Sequence, residues 1–178
     1  MSRSWTASGS AWTRPTACGL SRRGHDFAAK LPELTVIAPG LQLDGEVYAP
    51  AADGTPDFHR LCSRLLHGES GVAIVYAVFD LLAVDGIPTL EMTYRDRHGL
   101  LHGLELPPVC SIVESFDKPE ALWQAVLELR LEGVVAKREG ERYRPGERLW
   151  IRQKSPRWPR RDEERKLAIR RGASIAGL

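Results

Sequence analysis

The chain has 178 residues, 43% hydrophobic and 27% charged, proportions that fit one globular domain with a single good core. No apolar run approaches the ~20 residues of a membrane span, Arg3 and Arg14 precede no apolar stretch of signal-peptide length, and Cys18, Cys62 and Cys110 lack the C-x-x-C spacing of a structural zinc, so a cytoplasmic protein without membrane contact is expected. The net charge of +2 hides an asymmetry, because residues 137–171 hold 14 Lys/Arg against 6 Asp/Glu while residues 31–136 hold 6 against 16.

Residues 1–20 show neither helical nor strand periodicity and are rich in Ser, Thr, Gly and Ala, so they read as unstructured. Ser21-Arg22-Arg23-Gly24 leads into Phe27, Leu31 and Leu34, whose i, i+4, i+7 spacing predicts a short helix that Pro32 must break or restart. Leu41 to Tyr48 predicts a strand with Leu41, Leu43 and Val47 on one face and Asp44, Glu46 and Tyr48 on the other. Thr55-Pro56 reads as an N-cap with Pro at the first helical position. The helix it opens has a stripe of Phe58, Leu61, Cys62 and Leu65, with His59 and His67 off it.

Gly71 to Leu82 is apolar on both faces, the mark of a central strand covered from both sides. Tyr94 to Leu104 predicts a helix weakened by Gly99 and Gly103, and Val109 to Phe116 a strand. Asp117-Lys118-Pro119-Glu120 reads as a capping-box-like start to a helix with Leu122, Ala125, Val126 and Leu129 inward. Val134, Val135 and Ala136 then form a short buried strand, with a carboxylate (Glu132) at its entry and an ammonium (Lys137) at its exit. Pro145-Gly146 turns the chain into a second strand at Trp150-Ile151-Arg152-Gln153-Lys154. Successive strand residues point to opposite faces, so Arg152 and Lys154 share one.

One carboxylate able to hold a metal, with three cations near it, is what a polyphosphate–metal site needs. The same residues are also what a core strand with solvated ends would show, and the basic stretch 137–171 fits either a phosphate footprint or a salt-bridged surface. Glu132 and Lys137 are five apart and fall on opposite faces of a regular strand. A shared site therefore requires Glu132 to lie before the strand or Gly133 to support a bulge.

Taken together, E-G-V-V-A-K (132–137) and W-I-R-Q-K (150–154) resemble motifs IV and V of the ATP-dependent DNA ligases. L-D-G-E (43–46) resembles motif III of that family, Y-A-V-F-D-L-L (76–82) motif IIIa, and S-R-R-G-x-D (21–26) another of its stretches. The resemblance implies an α+β fold of two antiparallel sheets flanked by helices, the nucleotidyltransferase core shared with RNA ligases and capping enzymes. It implies ATP and Mg²⁺ as cofactors, nicked or broken duplex DNA as a weakly bound partner, and a monomer. Arg22 or Arg23 would reach phosphate, Phe79 would stack on adenine, and Lys137, Arg152 and Lys154 would meet the phosphates. Glu46 would contact ribose or metal, and Glu132 the metal. Arg152 departs from the usual lysine and offers a planar fork in place of a point charge.

The family's nucleophile motif, Lys-x-Asp-Gly, occurs nowhere in the sequence. The domain expectation is therefore an adenylation fragment over 21–158 preceded by an unstructured segment 1–20, of which residues 1 to about 17 are expected to be translated in another frame. A basic segment 159–178 would lead towards an oligonucleotide-binding barrel that this chain does not contain. The competing readings are a non-catalytic nucleotide- or DNA-binding remnant and an RNA ligase or capping-type nucleotidyltransferase.

Overall fold

The computed structural model describes residues 2–3, 10–13, 18–21, 27–147 and 149–158. In chain order the elements are β1 (Ser2–Arg3), β2 (Ser10–Thr13), β3 (Cys18–Ser21), β4 (Gln42–Tyr48), α1 (Phe58–His67), β5 (Val75–Val84), β6 (Ile87–Pro88), α2 (Tyr94–His102), β7 (Cys110–Ile112), α3 (Pro119–Glu128), β8 (Gly133–Ala136) and β9 (Ile151–Lys154). They build two sheets, as the resemblance implies. The larger runs β3-β2-β4-β5-β6, with β7 added parallel to β5, and the smaller runs β1-β8-β9; every other pairing is antiparallel. Three of these strands lie within 1–21, a stretch whose sequence carries no strand pattern.

β5 is central because its side chains are apolar on both faces. Tyr76, Val78 and Leu81 are completely buried, and they pack with Leu34, Leu43, Leu61 and Leu101 in the main core. Each such aliphatic side chain contributes about 1.5–3 kcal/mol by leaving water. A smaller core under the other sheet joins Leu122 and Val126 of α3 to Leu131 and Val134.

Local chemistry explains the remaining boundaries. The Phe27–Leu34 pattern becomes two 3-10 turns, Ala28–Lys30 and Pro32–Val36, separated at Leu31 because proline lacks the donor that would continue the first. α1 starts later than Thr55 predicts, since the Asp57 carboxylate accepts from the amides of His59 and Arg60 and takes the cap. Phe58 therefore sits on the exposed side at 52% accessibility, off the stripe that the sequence assigned to it. α2 is capped by Thr93, whose hydroxyl both receives the Asp96 amide and donates to the Asp96 carboxylate. α3 has no side-chain cap at Lys118, and Leu129, expected inward, has left the helix and is exposed. Between β5 and β6, Asp85 and Gly86 both take positive φ, the requirement of a tight two-residue hairpin turn.

Candidate functional site

The site begins with an irregularity in the β4–β5 ladder. Asp44 pairs with Asp80 and Gly45 pairs with Val78, so Phe79 is an extra residue on β5 with no partner on β4. Such a bulge re-aims its side chain and takes its peptide out of the ladder. The Phe79 carbonyl accepts instead from the Lys137 ammonium at 2.9 Å. Lys137 follows β8 directly, so this bond ties the smaller sheet to the centre of the larger one.

The bulge also leaves two carboxylates, Asp44 and Asp80, directly opposite each other, an arrangement that destabilises a sheet unless it is neutralised. Three groups do this. Arg97 of α2, 1% exposed, grips both oxygens of the fully buried Asp80 at 2.7 and 2.9 Å. The Tyr143 hydroxyl donates to Asp44 Oδ2 at 2.8 Å. Lys137 feels both carboxylates, while burial and the Arg97 charge oppose its own. Burial prevails and brings the Lys137 pKa down to about 8. Arg97 also donates to the carbonyls of Met92 and Glu141, so one guanidinium joins β5, the turn before α2 and the loop after β8.

Three ring faces surround the Lys137 ammonium, with centroids 4.0 Å away at Trp150, 4.5 Å at Tyr94 and 4.6 Å at Phe79. Phe79 and Trp150 meet edge to face at 5.4 Å. The sequence names Phe79 and Lys137 but passes over Asp80, Arg97, Tyr94, Tyr143 and Trp150 as site components. A signal for Asp80 was present, since a carboxylate inside the apolar run Y-A-V-F-D-L-L demands a buried counter-charge.

Glu132 lies one residue before β8, and Lys137 one residue after it; the β8–β9 register shows no shift. The first of the two required geometries is thus the observed one. A Cβ on Gly133 would stand 2.1 Å from the Gln153 carbonyl oxygen, so only glycine lets the two strands approach there. Lys154 pairs across from Gly133 and Arg152 across from Val135, which puts both cations on one face of β9. The Glu132 side chain is 5% exposed, and its Oε1 lies 3.4 Å from the Lys154 ammonium. Arg152 is exposed, and Glu46 is buried on β4 opposite Ala77. Arg22 and Arg23 lie outside the described residues.

Among the described residues no three His, Cys, Asp or Glu side chains cluster as metal ligands. A hard divalent cation that keeps its waters and takes phosphate oxygens needs only one or two carboxylates. Glu132 and Glu46 are each carboxylates of the kind such an ion takes, and among the described residues none form the cage of a structural metal. No helix among the described residues is long and apolar enough to cross a membrane.

The family model of the ATP dependent DNA ligase domain matches residues 17–154. The chain is 33% identical over 138 residues to the SPbeta prophage-derived DNA ligase-like protein LigB of Bacillus subtilis, a match covering 74% of this chain and 51% of LigB. It is 33% identical over 134 residues to the multifunctional non-homologous end joining protein LigD of Pseudomonas aeruginosa, covering 70% of this chain and 16% of that protein. The ligase domain of M. tuberculosis LigD superimposes with a TM-score of 0.72 at 26% identity, over 86% of this chain and 52% of that one. A mycobacterial DNA ligase D complexed with ATP and MES gives 0.70 at 26% identity, over 85% and 52%. The chain thus spans about half the length of LigB and a smaller share of LigD.

Proposed function

The chain belongs to the ATP-dependent DNA ligase domain family, and on that premise we propose that the seam between its two sheets binds ATP with Mg²⁺, as the adenylation domain of an end-joining type of DNA ligase. The observation that carries the reading is the bulged Phe79, a half-buried ring set between the two sheets, with the smaller sheet bringing Glu132, Arg152 and Lys154. A purine stacks on such a ring, and a triphosphate needs such cations.

Ligases of this family activate a DNA end through a nucleotidyl group carried on a lysine and passed to a 5′-phosphate. Charge then accumulates on the α-phosphate and on the leaving group, and fixed cations stabilise it most where water is excluded. Arg152 and Lys154, side by side on one face of β9, would meet those oxygens. Glu132, with Glu46, would hold Mg²⁺, which supplies a further positive charge to the phosphates when bound. Lys154 is ion-paired to Glu132 at 3.4 Å, so nucleotide and metal would compete for that pair and each take one member.

A second reading, a nucleotide-binding remnant without catalysis, is favoured by one observation: no lysine in the sequence is followed by x-Asp-Gly. Incubation with α-labelled ATP and Mg²⁺ separates the two. The chain is expected to bind ATP in equilibrium dialysis without forming a covalent protein–AMP band, and a covalent band would return it to the enzymes. Glu132→Ala is expected to lose Mg²⁺-dependent ATP affinity by at least about 10-fold. Equal affinity in variant and parent refutes the metal role.

A further inference from the structure

We infer that Lys137 is a positioning residue for the base and not a phosphate ligand: its ammonium, seated on the Phe79 carbonyl between the Phe79, Tyr94 and Trp150 rings, fixes the ring on which a purine stacks. The inference rests on the nucleotide-site reading and deepens it by changing what one of the site's cations touches.

The geometry separates Lys137 from the other two cations. Arg152 and Lys154 are exposed on β9, whereas the Lys137 ammonium is turned inward and occupied by a carbonyl and three aromatic faces. Phosphates carry charge that must stay near water or near a metal, and an enclosed aromatic cage offers neither. The bulge explains why the cage exists. Taken out of the ladder, the Phe79 peptide has no β4 partner to hold it, so a tether from elsewhere must set the ring's attitude. Lys137 supplies that tether from the adjacent sheet and caps one face of the ring. Phe79 is only half buried, and it keeps surface for a flat ligand. A cation on one face of an aromatic ring also draws electron density from it, which suits stacking of a purine on the other.

The charged and titratable groups facing Lys137 are Asp44 of β4, Asp80 of β5, and Arg97 and His98 of α2, with the Tyr94 ring beside them. Burial, the largest effect, and Arg97 oppose the ammonium while the two carboxylates favour it; the pKa comes down to about 8, so the tether keeps most of its charge at neutral pH.

Adenosine and ATP distinguish a base tether from a phosphate ligand, because adenosine has no phosphate. In Lys137→Met both ligands are expected to bind about 10-fold more weakly, between the exposed and the fully desolvated values of one cation–π contact, and Lys137→Arg is expected to recover most of both. A Lys137→Met protein that loses ATP while holding adenosine at parental affinity, or that binds adenosine more tightly, overturns the inference and leaves the nucleotide site standing. A parent that binds neither ligand overturns that site and this inference together. The parent alone gives a measurement that needs no folded variant. Adenosine does not titrate between pH 7 and 9.5, so its affinity is expected to fall as pH rises through about 8, where Lys137 loses its charge. A flat profile overturns the inference.

Discussion

At the scale of single residues, the centre of the molecule is a problem of charge. Asp44 and Asp80 oppose each other across β4 and β5, and burial makes two adjacent carboxylates costly unless each is matched. Arg97 and the Tyr143 hydroxyl match them directly, which leaves Lys137 with less to gain from its own charge. Its pKa falls from 10.5 to about 8, with burial the first cause. The folded chain therefore gives up this proton near pH 8, while the unfolded chain holds it to about 10.5. Below pH 8 both states are protonated and the burial cost is present in full. Between 8 and 10.5 the unfolded state binds the extra proton, so stability rises with pH. Relative to Lys137→Met, which cannot titrate, the parent is expected to gain roughly 1–2 kcal/mol between pH 8, where the folded lysine is already half deprotonated, and pH 9.5. Urea denaturation of the two proteins at both pH values measures this. A stability difference that does not move with pH removes the buried-lysine account. Phe79, Glu132 and Lys137 were legible as residues of the candidate site because short motifs name them. Arg97 was not: an arginine within a weak helix pattern looks like surface until Asp80 is seen beneath it.

At the scale of elements, the sequence marks where strands and helices are better than how they are joined. Unbroken apolarity identified β5, and a valine pair between Gly133 and charge identified β8, because burial on two faces leaves a composition that polar loops do not share. The Asp57 cap on α1 was obscured by Thr55-Pro56, an equally good capping pair two residues earlier. The bulge at Phe79 leaves no mark in composition at all, since one inserted apolar residue in an apolar strand changes no pattern. Close approach is different, because it demands glycine. At Gly133 the carbonyl of Gln153 occupies the place of a side chain, so Gly133→Ala must push β9 away from β8. The displacement would reach Lys154, paired across from Gly133 and bonded to Glu132. A destabilisation of about 1–3 kcal/mol is expected, the usual cost of overpacking, together with weaker ATP binding. Chemical denaturation and ligand titration of the variant check both. A loss under about 0.5 kcal/mol would be that of an ordinary surface substitution and would contradict the contact.

At the scale of the whole molecule, the family match and the sheets do not share a boundary. The family match starts at residue 17, yet the structure carries sheet on both sides of that point: β2 and β3 extend the larger sheet, and β1 pairs with β8. The β1 register sets Ser2 against Val135 and Arg3 against Val134, beside the strand that Glu132 and Lys137 flank. A nucleophile would be useful there. Reading the gene from the last base of each codon supplies one. Trp5 (TGG) before Thr6 (ACN) gives GAC, an obligatory Asp. Thr6–Ala7 permits GGC for Gly, Ala7–Ser8 permits TTC for Phe, and Ser8–Gly9 permits CGG for Arg. Arg3 ending in A before Ser4 as AGC gives AAG, then CTG, so the shifted frame reads Lys-Leu-Asp-Gly-Phe-Arg. Its lysine falls at the Arg3–Ser4 junction. The prediction is that residues 1 to about 17 are read in the wrong frame and that the gene encodes the nucleophile one base away. The nucleotide sequence tests this directly, because a Ser4 codon of the TCN type removes the lysine and ends the proposal. If the codon is AGC, a protein made from the restored frame is expected to form a protein–AMP band with α-labelled ATP, on that lysine, where the chain as written forms none.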